Sequence, residues 1–289
     1  MFYLIATLLL NVLISAMFKV FPKYDINALQ AIVTNYCVCV ITGSLFIGKI
    51  PFTVDNLSAS WFPWSMLMGL GFISIFNLIA YCTKIDGITT ATIANKLSLV
   101  IPVVFAVFLY NEKAGIVKIT GILLALPAVY LTTRIKEDHN KPQNLFWPAL
   151  LFIGGGLLDT LTNYIQKNYL LSNDSQALCT IYCFSTAGTI GLIIVTILLI
   201  MKKITFSWKN VIAGICVGVP NYFSIYYFIK MLNSPFLQTS ASLPILNINI
   251  LLLSSIVAIL LFKEKSNLLR ITGLILSIIA IILIAYGDK

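Results

Sequence analysis

The segment Phe105–Thr132, FAVFLYNEKAGIVKITGILLALPAVYLT, runs without gaps alongside Val257–Ile284, VAILLFKEKSNLLRITGLILSIIAIILI, at an offset of 152 residues. Ten of the 28 aligned positions are identical. Glu112-Lys113 falls on Glu264-Lys265, and Ile119-Thr120-Gly121 falls on Ile271-Thr272-Gly273. Chance alignment of apolar runs matches Leu, Ile and Val but does not reproduce a polar turn, so the pattern reads as a duplication. Each copy closes with a long apolar run, a Glu-Lys turn and a last apolar helix opened by Ile-Thr-Gly.

Working outward from that pair, apolar runs predict helices near 2–18, 28–48, 64–83, 88–110, 114–133, 145–165, 177–201, 211–229, 236–262 and 268–286. Of the 289 residues 59% are hydrophobic and 10% are charged, against roughly 25% charged in a soluble domain. Too few polar residues remain to cover a water-facing surface. The expected fold is an all-α membrane protein of ten transmembrane helices. The longest polar stretch, Arg134–Gln143, lies mid-chain and divides it into a first five-helix repeat over 1–137, a central loop over 138–144 and a second repeat over 145–289. Five is odd, so the second copy enters the membrane in the opposite sense, giving two inverted repeats.

The formal net charge of +9 is spread singly or in pairs at helix ends, with no basic stripe and no interleaved aromatics, which argues against a nucleic-acid partner and for membrane-flank charge. All six cysteines fall inside apolar runs without a CxxC spacing. Cys179 and Cys183, one helical turn apart, lack the further Cys or His that a soft metal requires, and no metal site is expected. Phe2–Phe18 has neither a preceding basic residue nor a clean cleavage site, and is expected to be a retained first helix.

The duplicated five-helix unit with its Glu-Lys turn and Ile-Thr-Gly opening resembles the EamA type of the drug/metabolite transporter superfamily over essentially the whole chain. The resemblance implies a secondary transporter with a central cavity lined by helices 1, 3, 4, 6, 8 and 9, with helices 5 and 10 packed outside. It does not identify a substrate.

Ionisable groups deep in a span are costly, about 2.5–3.5 kcal/mol on insertion scales, and therefore usually face protein or a water-filled cavity. Two qualify: Lys96, nine residues into the fourth helix, and Asp159, fourteen into the sixth after Gly154-Gly155-Gly156. Lys96 suits an anionic group of a substrate. Asp159 suits a cation, a proton or Lys96 itself, and a buried structural ion pair is the plainer alternative. Asp159, Asn163 and Gln166 recur at i, i+4 and i+7 on one helix face. Asn11 and Ser15 align with Asp159 and Asn163 at an offset of 148, and Asn95 aligns with Asn247 at 152. Asn77, Tyr81, Asn221, Tyr222, Tyr226 and Tyr227 add amides, hydroxyls and flat apolar faces, a mixture that fits a zwitterionic or cyclic metabolite. For the amides, interhelical hydrogen bonding is the competing role; for the tyrosines, an interfacial belt. Glu112 and Glu264, beside Lys at helix ends, read as solvated turn residues.

An enzyme is not expected: there is no HExxH, GxSxG or Walker loop, and the one histidine, His139, lies in the central loop. No cofactor motif is present either. The expected function is alternating-access carriage, export or exchange, of a small polar metabolite such as an amino acid. A larger anionic metabolite, such as a nucleotide-sugar or phosphorylated compound, is the alternative. The expected partners are that small molecule and the lipid bilayer, for a monomer or homodimer in a bacterial cytoplasmic membrane.

Orientation divides the two lines of reading. With the N-terminus inside, as the resemblance implies, the cytoplasmic side carries Lys49, Lys113, Lys118, Lys167, Lys230 and Lys289 against twelve basic residues outside, and the positive-inside rule favours the reverse. The family-based orientation predicts that a His139→Cys side chain reacts with an impermeant maleimide from outside the cell; protection there supports the charge-based one.

Overall fold

A computed structural model describes residues 2–48, 51–102, 104–105, 115–133, 145–170, 172–232, 239–263 and 268–286. These are predominantly helical, and no strand occurs among them. The long elements are α1 (Phe2–Val20), α2 (Ala28–Ile47), α3 (Phe62–Asp86), α4 (Ile88–Leu97), α5 (Ile116–Thr133), α6 (Phe146–Tyr169), α7 (Asn173–Ile200), α8 (Trp208–Leu232), α9 (Thr239–Leu260) and α10 (Leu268–Tyr286). Five apolar segments are long enough to cross a membrane: Phe2–Tyr24, Ala28–Ile47, Phe62–Asp86, Asp174–Ile200 and Trp208–Phe228. Three apolar segments, Ile116–Ala128, Leu246–Leu260 and Ile271–Ile284, are shorter. Both Glu-Lys turns and the central loop with His139 lie outside the described residues.

Helix ends follow from local chemistry. Asn27 caps α2, its side chain accepting from the Gln30 N–H at 3.1 Å, and α2 stops at Gly48, whose φ of 64° suits a residue without a Cβ. Ser172 and Ser175 form a reciprocal capping box on α7. Gly87, at φ 92°, turns the chain between α3 and α4.

One predicted helix is corrected. The run 88–110 is not continuous: α4 ends at Leu97, Ser98 and Leu99 form a turn, and helix resumes at residue 100. The cause is Pro102, which has no N–H to offer the Ser98 carbonyl four residues back and crowds it. That carbonyl is taken by the Ile101 N–H at 2.9 Å, and the Ser98 hydroxyl turns back to the Asn95 carbonyl. At ~1.5 Å per residue α4 is ~15 Å long, half of a bilayer core. Lys118, expected as a flank charge, is buried on α5.

The chain forms two compact units, each drawing on both halves of the sequence. The first comprises Met1–Lys19, Leu78–Thr160 and Tyr227–Lys289; the second comprises Val20–Asn77 and Leu161–Tyr226. In the first, α5 packs along α10 and α4 against α9, with α4–α5 and α9–α10 contacts beside them. Gly121 permits the α5–α10 approach, since a Cβ there would stand 2.9 Å from the Ala280 carbonyl oxygen and the Ile284 nitrogen. Leu4, Val12, Met231, Leu246 and Ile250 form a buried cluster joining α1, the end of α8 and α9.

In the second unit α2 packs on α7. Gly43 of α2 faces Ile181 and Tyr222, and Gly188 of α7 faces Tyr36 and Cys37. The Gly214/Gly218 pair presses α8 onto α2, with Gly214 against the Ala31 carbonyl and Gly218 against Val38. A buried amide cluster crosses that contact: Asn221 Nδ2 donates to Asn35 Oδ1 at 3.1 Å, and the Cys39 thiol lies 3.3 Å from the Gly218 carbonyl oxygen.

These spacings separate tolerated from forbidden side chains. Gly214→Ala would place a Cβ 2.5 Å from the Ala31 backbone oxygen, which cannot swing aside, and should destabilise by about 1–3 kcal/mol. Gly188→Ala, whose Cβ would meet Tyr36 at 3.5 Å, should be neutral or gain up to about 1 kcal/mol of helix propensity. Thermal unfolding of the two variants in detergent checks the contrast.

Candidate functional site

The twelve candidate residues divide between the units. Asn11, Ser15, Tyr81, Asn95, Lys96, Asp159 and Asn247 fall in the first, and Asn77, Asn163, Gln166, Tyr222 and Tyr226 in the second. Only the first contains candidates that carry a charge at neutral pH, Lys96 and Asp159.

Lys96 and Asp159 are brought together by glycine. On α6, Gly155 and Gly156 precede Asp159 by four and three positions and therefore share its face. A Cβ on Gly155 would lie 3.1 Å from Asn95 Oδ1 and 3.3 Å from Ser98 Oγ; one on Gly156 would lie 2.6 Å from Ile101 Cβ and 2.7 Å from the Ser98 carbonyl oxygen. The broken helix thus rests directly on the α6 backbone, and the Gly-Gly pair exists to let it. That approach places Lys96 and Asp159 within electrostatic reach of each other. No ion pair within 4.0 Å or hydrogen bond joins them among the described residues. Lys96 and Asn95 are half-buried while the rest of α4 is buried, and Asp159, fourteenth of the 24 residues of α6, is exposed.

Other candidates are engaged locally. Asn11 Nδ2 donates to the Thr7 carbonyl at 2.9 Å, Ser15 Oγ to the Asn11 carbonyl at 3.0 Å and Asn77 Nδ2 to the Ile73 carbonyl at 2.8 Å, all within their own helices. Tyr81 is exposed and meets Trp147 edge-on, with ring centroids 4.9 Å apart. Tyr222 is buried, stacked on Tyr226 and packed with it against Phe46. Tyr227 stacks on Tyr3. Asn163 is exposed and Asn247 half-buried; the Gln166 side chain lies outside the described residues. Cys179 and Cys183 belong to a buried cluster with Trp61, Met68, Ile165 and Tyr182. No group of three or more metal-ligating His, Cys, Asp or Glu occurs among the described residues.

Two buried polar clusters escaped the sequence reading. Asn35 and Cys39 sit at i and i+4 within an apolar run, a spacing that marks a polar spot on α2, but only the fold shows Asn221 opposite. Gln30 bridges Asn210 (2.8 Å from Asn210 Nδ2 to Gln30 Oε1) and the Thr205 carbonyl (2.9 Å), while Asn210 Oδ1 accepts from the Asn27 N–H at 3.0 Å. These amides hold α2 to α8 and its preceding loop, with Asn35 Oδ1 paired and its buried Nδ2 left without a partner among the described residues.

The geometry decides how the charged groups behave when altered. A buried structural pair loses about 3–5 kcal/mol when one partner goes; an exposed pair contributes about 0.2–1 kcal/mol. With no direct ion pair between them, neither charge depends on the other for compensation, so Lys96→Ala and Asp159→Asn should each cost less than the ~3–5 kcal/mol of a buried structural pair. Both should alter solute response. Melting curves beside uptake measurements on the same preparations check this, and a large loss of stability rescued in the double variant marks a structural pair instead.

No family model matches the chain. An uncharacterized protein of Haemophilus influenzae is 28% identical over 294 residues, covering 99% of this chain and 98% of that one. A crystal structure of 12% identity superposes with a TM-score of 0.59 over 96% of this chain and 95% of the other, a likeness of fold alone.

Proposed function

We propose that this chain is a secondary transporter of a small polar metabolite, working by alternating access in the bacterial cytoplasmic membrane. The observation that carries the proposal is the pair of charged residues Lys96 and Asp159, one beside a helix break and the other mid-helix, three and four positions past the glycines on which that break rests. Charges at membrane depth are expensive unless they serve a pathway, and interrupted helices recur where transporters bind solute.

Ten spans in two inverted five-helix repeats complete the reading, and the packing supports it. Helices pair with the partners that duplication assigns to them: α5 with α10, α4 with α9, α2 with α7. The contacts are reciprocal too, since Gly43 on Ile181 becomes Gly188 on Tyr36 when both members shift by 145 residues. In the aligned terminal helices Thr120 Oγ1 bonds the Val117 carbonyl at 2.7 Å and Thr272 Oγ1 the Leu269 carbonyl at 2.8 Å, one motif twice at an offset of 152. These features accord with an EamA-like drug/metabolite transporter.

Purified protein in liposomes should show saturable uptake of a radiolabelled polar solute, with trans-acceleration when the same solute is loaded inside. Linear, non-saturating flux without counterflow would indicate a channel, and turnover of solute without translocation an enzyme.

A further inference from the structure

Lysines that are scattered along the chain are gathered by the second unit at one place. Lys23 lies in the short helical turn Phe21–Tyr24 ahead of α2, Lys202 and Lys203 follow α7, and Lys209 opens α8. The amide cluster of Gln30, Asn210 and Asn27 clamps the two stretches together, joining side chains 180 residues apart in the chain. Lys209 Nζ adds a bond to the Tyr24 carbonyl at 3.1 Å, which fixes one ammonium beside Lys23 and leaves it two further donors. All four lysines are exposed, and no carboxylate lies within 4.0 Å of any of them among the described residues, although Asp25 follows Tyr24. The cluster is cationic and unneutralised.

Its backbone is shaped around one of these charges. The Lys203 N–H bonds the Leu198 carbonyl at 2.9 Å and the Lys202 N–H the Leu199 carbonyl at 3.0 Å, a closing motif whose left-handed position usually belongs to glycine. Lys202 occupies it at φ 53°, whereas α2 ends on Gly48 at φ 64°. A lysine is kept there against backbone preference.

Beside the charges lie apolar surfaces. Ile200 is 76% and Trp208 72% exposed, and Phe206 meets Trp208 edge-on at 5.4 Å between centroids. A dissolved anion gains nothing from such faces, but a phospholipid carries its phosphate directly above glycerol and acyl chain. We propose that this cluster binds the headgroup of an anionic phospholipid, with Lys202, Lys203 and Lys209 toward the phosphate and Phe206 and Trp208 against the glycerol and upper acyl chain. A choline headgroup fits poorly, because its own cation offsets the phosphate and meets the lysines as a like charge.

The test places the full-length protein in phosphatidylcholine vesicles with equal mole fractions of brominated phosphatidylglycerol or brominated phosphatidylcholine, since bromine quenches a tryptophan it touches. Trp208 is read as the difference between wild type and Trp208→Phe. The brominated phosphatidylglycerol should compete for that position about fivefold better at low salt, the factor that one lysine contributes near an anionic surface, and the preference should shrink as salt rises. Lys202→Gly, Lys203→Gln and Lys209→Gln should each weaken it, and the triple variant should abolish it. Lys202→Gly also relieves the left-handed backbone, so it should melt no lower than wild type in neutral detergent while losing lipid preference. A lysine that only shaped the turn would leave the preference unchanged.

Equal quenching of wild-type Trp208 by the two lipids overturns the inference even if no variant folds, and leaves an ordinary aromatic belt. A folded triple variant that keeps the wild-type preference overturns it as well. Inorganic phosphate that removes the preference at an ionic strength where chloride does not overturns the lipid assignment in favour of a free-anion site. No transported solute enters the measurement, so each of these failures leaves the transporter reading untouched.

Discussion

Close backbone approach at glycine is the constraint on which the described contacts depend. In hydrocarbon a leucine gains little by exchanging lipid for protein, so helices associate where removal of a Cβ lets backbones come near enough for many weak contacts. Gly121 sets α5 on α10, Gly214 and Gly218 set α8 on α2, and Gly155 and Gly156 seat the broken helix on α6. The last of these contacts has a chemical result, because the face of α6 that lacks side chains at 155 and 156 presents Asp159 one turn later. The packing thereby places a carboxylate near Lys96.

Much of this was legible in the sequence, since apolar run length reports directly on helix content. Among the described residues, nine of the ten expected helices correspond to continuous elements, with ends displaced by a few residues where caps lie outside the apolar run, as Ser172 lies ahead of a span expected from 177. The fourth was misread because hydropathy does not register Pro102, whose missing N–H interrupts the ladder at Ser98. The grouping of helices into units was not legible. Periodicity describes one helix at a time, and the unit boundaries fall inside α3, α6 and α8 and before the last residue of α1.

The candidate site was legible as to its charges and much less so as to its polar lining. An ionisable residue in an apolar run stands out against a uniform background, so Lys96 and Asp159 needed no partner to be noticed. Amides are ambiguous by nature: Asn11 and Asn77 bond to their own helices, while Asn35, which was overlooked, is tied to Asn221 across an interface. A sequence records that an amide is present in a span. Only the tertiary fold records which carbonyl it reaches.

The hydrogen bond that Asn221 of α8 donates back to Asn35 of α2 has a bearing on synthesis. Asn35 and Asn221 are 186 residues apart in the chain, and at translation rates of about 5–20 residues per second the first is made roughly 10–40 s before the second. For that interval α2 has neither its glycine-bearing partner on α8 nor the Asn221 side chain that donates to its buried Asn35 oxygen. Assembly of the second unit is therefore a late event, completed after insertion, and the nascent α2 is the segment with most reason to need a chaperone or a borrowed partner while it waits.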